Sequence, residues 1–188
     1  MQIDYNKITK HNRNMEELLL FLLWCTVTPG KKSETITPLF NRLFVKHKPS
    51  ELIRSPDNVL LNALKGASLG QYSRLLKCWK TISRIRPLDQ LNKVTRNELT
   101  KIPGIGPKTA SMFIIHSQSK WSEHAVLDIH ILRWLQEQFP KYPMPEQTPQ
   151  KIEEYEQIEA MFLGKACQMD MSASELDNYI WKLNTTSS

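Results

Sequence analysis

Cysteine is scarce in this 188-residue chain: Cys25, Cys78 and Cys167 stand far apart and are odd in number. They give no disulfide framework and no CxxC metal pair, which points to a reducing compartment. They also exclude a four-cysteine iron–sulfur cluster held by this chain alone. Long apolar runs are missing as well. The strongest, Leu18 to Cys25, falls far short of the roughly 20 residues that span a bilayer. The start, Met1-Gln2-Ile3-Asp4, is polar and lacks the apolar core of a targeting peptide. A soluble, intracellular protein with no membrane partner is therefore the expectation. No stretch alternates apolar and polar residues as a strand would, and no repeat or low-complexity tract interrupts the pattern.

What is present reads as helix almost throughout. Met15 to Val27 is apolar nearly all round and predicts a central buried helix, stopped by Thr28-Pro29-Gly30. Ser33 is placed to cap a second helix with the apolar set Ile36, Leu39, Phe40, Leu43 and Phe44. Pro49 and Pro56 punctuate two short pieces that end near Gly66. Gln71 to Arg86 is amphipathic, with Tyr72, Leu75, Leu76, Trp79, Ile82 and Ile85 on one stripe and Arg74, Lys77, Lys80 and Arg84 elsewhere. Such a cationic face suits a polyanion and equally suits any surface helix. Further helices are predicted over Arg96 to Lys101, Pro107 to His116, Asp128 to Phe139 and Gln150 to Cys167. In the last of these Ile152, Tyr155, Ile158, Phe162 and Ala166 are expected inward and Glu153, Glu154, Glu156 and Glu159 outward. Ser172 or Ser174 caps a final helix through Lys182. The fold class is all-α, with about nine or ten helices.

Acidic residues are sparse in the leading part of the chain. Residues 1–120 carry 20 Lys and Arg against 8 Asp and Glu, a net +12, whereas residues 121–188 carry 5 against 11, a net −6. A basic surface attracts phosphates by releasing their condensed counterions. The acidic remainder argues against a protein that only coats nucleic acid.

The basic part leads into Ile102-Pro103-Gly104-Ile105-Gly106-Pro107-Lys108-Thr109-Ala110. Gly104 and Gly106 let the backbone turn tightly and approach a phosphate. Pro107 is suited to the first position of the following helix, whose unpaired N–H groups and positive dipole end form an anion site. The carbonyls of Ile102 and Ile105 can hold a monovalent cation, Na or K, that bridges to the phosphate. A bare GxG is also compatible with a plain corner between packed helices. Twenty residues after Lys108 comes Asp128, within Val126-Leu127-Asp128-Ile129-His130. Asp128 can cap the helix that follows it. Lysine brings an amine nucleophile and aspartate a carboxylate. His116, His124 and His130 lack metal-ligand spacing, so no metal cofactor is expected.

These two elements together resemble the helix-hairpin-helix DNA glycosylase superfamily, which includes endonuclease III. Its signature runs L-P-G-[VI]-G-x-K-[TA]-A, followed by V-D-x-H. The likeness extends to Glu17–Thr28 as a first core helix and to Leu69-Gly70-Gln71-Tyr72-Ser73-Arg74 as a G-x-x-x-x-K/R turn. It implies a single unit over residues 1–188 with two helical lobes flanking a basic cleft. One lobe would span residues 28–125 and the other residues 1–27 plus 126–188. It also implies that Lys108 attacks the sugar C1′, which couples base excision to strand cleavage through a Schiff base. Asp128 would stabilise the positive charge that develops on the sugar. Gly104, Ile105, Gly106, Lys108, Thr109, His130 and Arg74 are the residues it implies for DNA contact.

Met171-Ser172-Ala173-Ser174-Glu175-Leu176-Asp177-Asn178-Tyr179-Ile180-Trp181 is similar to the ending of the small archaeal-type 8-oxoguanine DNA glycosylases, which carry no iron–sulfur cluster. That likeness implies an oxidised purine as the excised base, with Asp177 and Trp181 lining its pocket. Trp24 and Thr26 are further pocket candidates, Thr26 aligning with a Gln of the endonuclease III branch. The same terminal helix can equally pack Leu176, Ile180 and Trp181 into a core. The chain then ends Asn184-Thr185-Thr186-Ser187-Ser188, without the lysine-containing tail of that group. The expected partner is double-stranded DNA with a damaged base, met by a monomer in the cytoplasm, nucleoid or nucleus. A glycosylase for uracil, mispaired thymine or an oxidised pyrimidine, and a non-catalytic hairpin module, are the alternatives.

Overall fold

A computed structural model describes residues 1–85 and 88–186, and these form two compact units, Met1–Ile105 and Gly106–Ser188. Among the described residues all regular structure is helical. Arg86, where the periodic pattern ends the fifth helix, and the terminal Ser187 and Ser188 lie outside the described residues.

Unit 1 is built around α1 (Met15–Val27), which opens with a capping box between Asn14 and Glu17. Each of its residues from Leu18 to Val27 is buried. A helix apolar on all sides needs neighbours on all sides. They are α2 (Ser33–Leu43), α3 (Pro49–Arg54), α5 (Tyr72–Ile85) and a 3₁₀ turn at Leu88–Lys93. α4 (Asp57–Gly66) packs on α5. Two buried indoles find hydroxyl partners in this core, as indole N–H groups must when taken from water. Trp24 Nε1 donates to Thr37 Oγ1 at 3.0 Å and Trp79 Nε1 to Thr26 Oγ1 at 2.9 Å. The cap of α2 differs from expectation: Lys32 occupies that position and Ser33 is the first helical residue, with no side-chain cap. α6 (Arg96–Thr100), started by a Thr95–Glu98 capping box, leads to the end of the unit.

Unit 2 contains α7 (Pro107–Ser117), α8 (Ile129–Gln138), α9 (Ile152–Gln168) and α10 (Ala173–Thr186). α10 packs against the other three, and Leu176 and Ile180 are fully buried in the shared core. Ser172, not Ser174, caps it, with Glu175 returning the bond to the Ser172 amide at 2.9 Å. On α9 the predicted faces need two corrections. Ile152 lies on the surface and Glu159 is buried at 4% exposure. Glu159 goes inward because the amide of Ala125 donates to its Oε1 at 2.7 Å, a partner that a regular helical stripe does not announce.

Candidate functional site

The hairpin is the covalent junction of the two units. On the unit 1 side the Ile105 amide donates to the Ile102 carbonyl at 3.0 Å, and both side chains are buried. Gly104 adopts φ +90°, a conformation open to glycine and strained for other residues. Arg74 braces this turn. Its Nη1 donates to the Gly104 carbonyl at 3.2 Å, its Nη2 to the Thr26 carbonyl at 2.7 Å and its Nε to Gln71 Oε1 at 2.6 Å. A Cβ added at Gly104 would lie 3.2 Å from Arg74 Cγ, so the turn and the arginine are in close contact. α1 has no basic residue in its own last turn, so Arg74 supplies the cation there from α5. Burial lowers the Arg74 pKa, and burial followed by the Arg74 charge lowers that of Lys31. Lys31 in turn donates to the Leu69 carbonyl.

On the unit 2 side Gly106 is the N-cap of α7 and Pro107 its first residue, as the pattern predicts. No side chain caps this helix. Lys108, in the first turn, is half-buried. Thr109 beside it is buried. Asp128 is the N-cap of α8, and its Oδ1 accepts from the amides of His130 and Ile131, both at 2.9 Å. Oδ2 stays outside these cap bonds.

The segment that delivers Asp128 is held from several directions. Tyr155 OH donates to the Ala125 carbonyl at 2.7 Å and accepts from the Leu127 amide at 3.2 Å. Thr148 Oγ1 donates to the Leu127 carbonyl at 2.7 Å. These residues did not stand out as functional in the sequence. Glu159, expected to face outward, lies one helical turn beyond Tyr155 and shares its buried face, a spacing that could have marked it.

α10 meets both helices that carry the candidate catalytic groups. Asp177 Oδ2 lies 3.1 Å from Nε2 of His116, a fully buried residue of α7. One turn further along, the Trp181 ring meets the His130 ring of α8 edge-on, with centroids 6.1 Å apart and planes at 87°. His130 Nδ1 is buried and has no hydrogen-bond partner among the described residues. Trp24 and Thr26, by contrast, belong to the interior of unit 1. Trp24 stacks on Phe21, and the Thr26 hydroxyl both accepts from Trp79 and donates to the Leu23 carbonyl.

Among the described residues no group of three or more His, Cys, Asp or Glu is placed to hold a metal ion. No helix there is long and apolar enough to cross a membrane. Cys25 and Cys78 are buried and Cys167 is exposed.

Residues 88–115 match the family model of the helix-hairpin-helix motif. The chain is 31% identical over 106 residues to an 8-oxoguanine DNA glycosylase/AP lyase of Metallosphaera sedula, covering 56% of this chain and 48% of that protein. It is 33% identical over 116 residues to the 8-oxoguanine DNA glycosylase/AP lyase of Methanocaldococcus jannaschii, covering 61% of this chain and 54% of that protein. The matched stretches thus span about half the length of these curated relatives. The crystal structure of the Methanocaldococcus jannaschii 8-oxoguanine glycosylase/lyase in complex with a 15mer DNA containing 8-oxoguanine superposes with a TM-score of 0.75. It shares 25% identity, over 93% of this chain and 84% of that one.

Proposed function

We propose that this chain, which has the all-helical fold of the 8-oxoguanine DNA glycosylases and carries the helix-hairpin-helix motif, is a bifunctional DNA glycosylase/AP lyase. Its substrate in this reading is double-stranded DNA containing an oxidised purine, 8-oxoguanine. The observation that carries the reading is the placement of Lys108 and Asp128 at the starts of two helices of one unit. The lysine directly follows the hairpin, and the aspartate has one oxygen outside its cap bonds.

In this reading the hairpin at Gly104, Ile105 and Gly106, with the first amides of α7 at Lys108 and Thr109, holds a backbone phosphate. The Ile102 carbonyl accepts the Ile105 amide and keeps a second lone pair, so with the Ile105 carbonyl it suits a sodium or potassium ion. His130, at the start of α8 with its side chain half-buried, supplies a further phosphate contact in this reading. The damaged nucleotide is turned out of the duplex so that its sugar is reachable. The amine of Lys108 then attacks C1′ through its nitrogen lone pair and gives up a proton, while the glycosidic bond breaks and its electrons leave with the base, which takes up a proton. Asp128 stabilises the positive charge on the sugar during this step. The aminal that forms opens to a Schiff base between Lys108 and C1′. Loss of a C2′ proton to a base then expels the 3′ phosphate and cuts the strand.

Asp177 and Trp181 enter this proposal with different weights. Asp177 is already engaged by His116, so it acts first by fixing α10 on α7. Trp181 presents a ring next to the Asp128 cap through His130 and is the better candidate to stack on a purine. Thr26 is tied to the hairpin through its carbonyl, which accepts from Arg74, the side chain that also donates to the Gly104 carbonyl.

Borohydride trapping tests the proposal. The wild-type protein is incubated with an 8-oxoguanine duplex, a uracil duplex, a duplex with an oxidised pyrimidine, and an abasic duplex. A covalent adduct on the 8-oxoguanine and abasic duplexes, lost in Lys108→Ala, is the expected result. An adduct on a different lesion replaces the substrate. An adduct on none of them leaves a hairpin that only binds DNA.

A further inference from the structure

Asp128 follows an irregular segment, Ala125-Val126-Leu127, that is buried yet belongs to no helix. Buried backbone outside regular structure must find its hydrogen bonds from side chains or water. Here all four main-chain polar groups of Ala125 and Leu127 are taken by side chains. Glu159 accepts the Ala125 amide at 2.7 Å, and Tyr155 OH donates to the Ala125 carbonyl at 2.7 Å. The same hydroxyl accepts the Leu127 amide at 3.2 Å, and Thr148 donates to the Leu127 carbonyl at 2.7 Å. The Asp128 amide closes the set by donating to the Val126 carbonyl at 3.1 Å.

We infer that Tyr155, with Thr148 and Glu159, forms a clamp that positions Asp128 for the chemistry, Tyr155 being its centre. The inference rests on the reading of Asp128 as the carboxylate of the active site. Three features support it. First, the clamp grips the residue adjacent to Asp128, whose Cα lies one peptide, about 3.8 Å, away. Second, the cap bonds fix Oδ1 to the start of α8, so the remaining freedom of the carboxylate lies in how the preceding peptide enters the helix. Third, the clamp residues come from α9 and from the connection before it, so they are independent of the helix that Asp128 caps. A tyrosine used only to fill this space needs no hydroxyl. This hydroxyl serves two backbone groups at once. Tyr155, Thr148 and Glu159 are therefore positioning residues, acting through Asp128 and touching no substrate.

The experiment is a double-mutant cycle between Tyr155→Phe and Asp128→Asn. It is read by single-turnover base excision on the lesion duplex that trapping identifies. Phenylalanine keeps the ring and removes both hydroxyl bonds. The expected result is a single-turnover rate lowered about tenfold or more, since small misplacements of catalytic groups have effects of that size. Half-saturation by DNA should stay unchanged. In the Asp128→Asn background the same substitution should change the rate by less than about twofold, because neighbours acting as one unit are not additive. Thr148→Val runs in parallel and should show the same pattern with a smaller amplitude, restored by Thr148→Ser. This second cycle decides the matter if Tyr155→Phe does not fold. Equal rate losses in both backgrounds, or a raised half-saturation with an intact rate, overturn the clamp. If Asp128→Asn alone leaves excision intact, both the clamp and the reading of Asp128 fall, while the lysine adduct is tested separately.

Discussion

Arg74→Ala separates two roles that the same side chain can play at a DNA-facing surface. As a phosphate ligand, Arg74 would be dispensable for stability, since surface substitutions usually stay within about 0.5 kcal/mol. Its removal would also lower the dependence of log affinity on log salt by about 1. The structure assigns the guanidinium to other work. It spans the Gly104 carbonyl of the hairpin and the Thr26 carbonyl near the C-terminal end of α1. The Gly104 and Gln71 bonds are exposed, so their loss takes little from stability although it frees the Gly104 turn. Thr26 is fully buried, so its carbonyl loses a charged donor in a partly buried setting. Losing such a charge-assisted bond costs about 1.5–3 kcal/mol, and the favourable placement of the cation at the end of α1 is part of that sum. With a urea slope of about 2 kcal/mol/M, the unfolding midpoint of unit 1 should fall by about 1 M. The assay is urea denaturation followed by circular dichroism, paired with binding of an abasic duplex over a range of salt. DNA affinity should fall because the Gly104 turn loses its brace, while the salt slope stays unchanged. Arg74→Lys should recover part of the stability. An unaltered midpoint together with a salt slope reduced by about 1 would refute the reasoning and return Arg74 to the phosphate.

Two other substitutions probe unit 2. Asp177→Ala removes the carboxylate from the buried His116 Nε2 and should destabilise the unit by about 1–3 kcal/mol in denaturation, whereas Asp177→Asn, which keeps a hydrogen-bonding group there, should lose less. A pocket role for Asp177 alone would instead alter lesion preference and leave the midpoint in place. Glu175 is held down to about 2 by the Lys120 side chain first and by the Ser172 amide and hydroxyl next. Its folded pKa lies below the ordinary carboxylate value of 4.5. The stabilisation is therefore complete above about pH 4.5 and lost as the pH falls toward 2. The group is largely exposed and solvent screens it, so the effect is small. Acid titration of the α10 helical signal in Glu175→Gln should run flatter across that window than in wild type, and identical titrations would discard the link.

Most of the fold was legible because helices are local objects. The burial of α1 followed from a run with no polar face. Pro107 at the start of α7 and Asp128 capping α8 followed from the positions those residue types favour. The departures share a cause. Ser33 has the right side chain for a cap, but Lys32 already occupies that position. Ile152 fits the inward stripe by periodicity, yet it begins α9, where the core has not yet been reached. Glu159 looked like one of four surface glutamates until an amide 34 residues away was placed against it.

The candidate site divides along the same line. The sequence by itself determined the hairpin, the lysine after it, the aspartate cap and the helical character of every element around them. Each of these depends on residues within a few positions of one another. Tertiary structure decided what the polar side chains do. Arg74 reaches Thr26 across 48 residues, His116 reaches Asp177 across 61, and Tyr155 reaches Ala125 across 30. A buried donor or acceptor must be satisfied by whatever packing brings near it, and no local spacing encodes that partner.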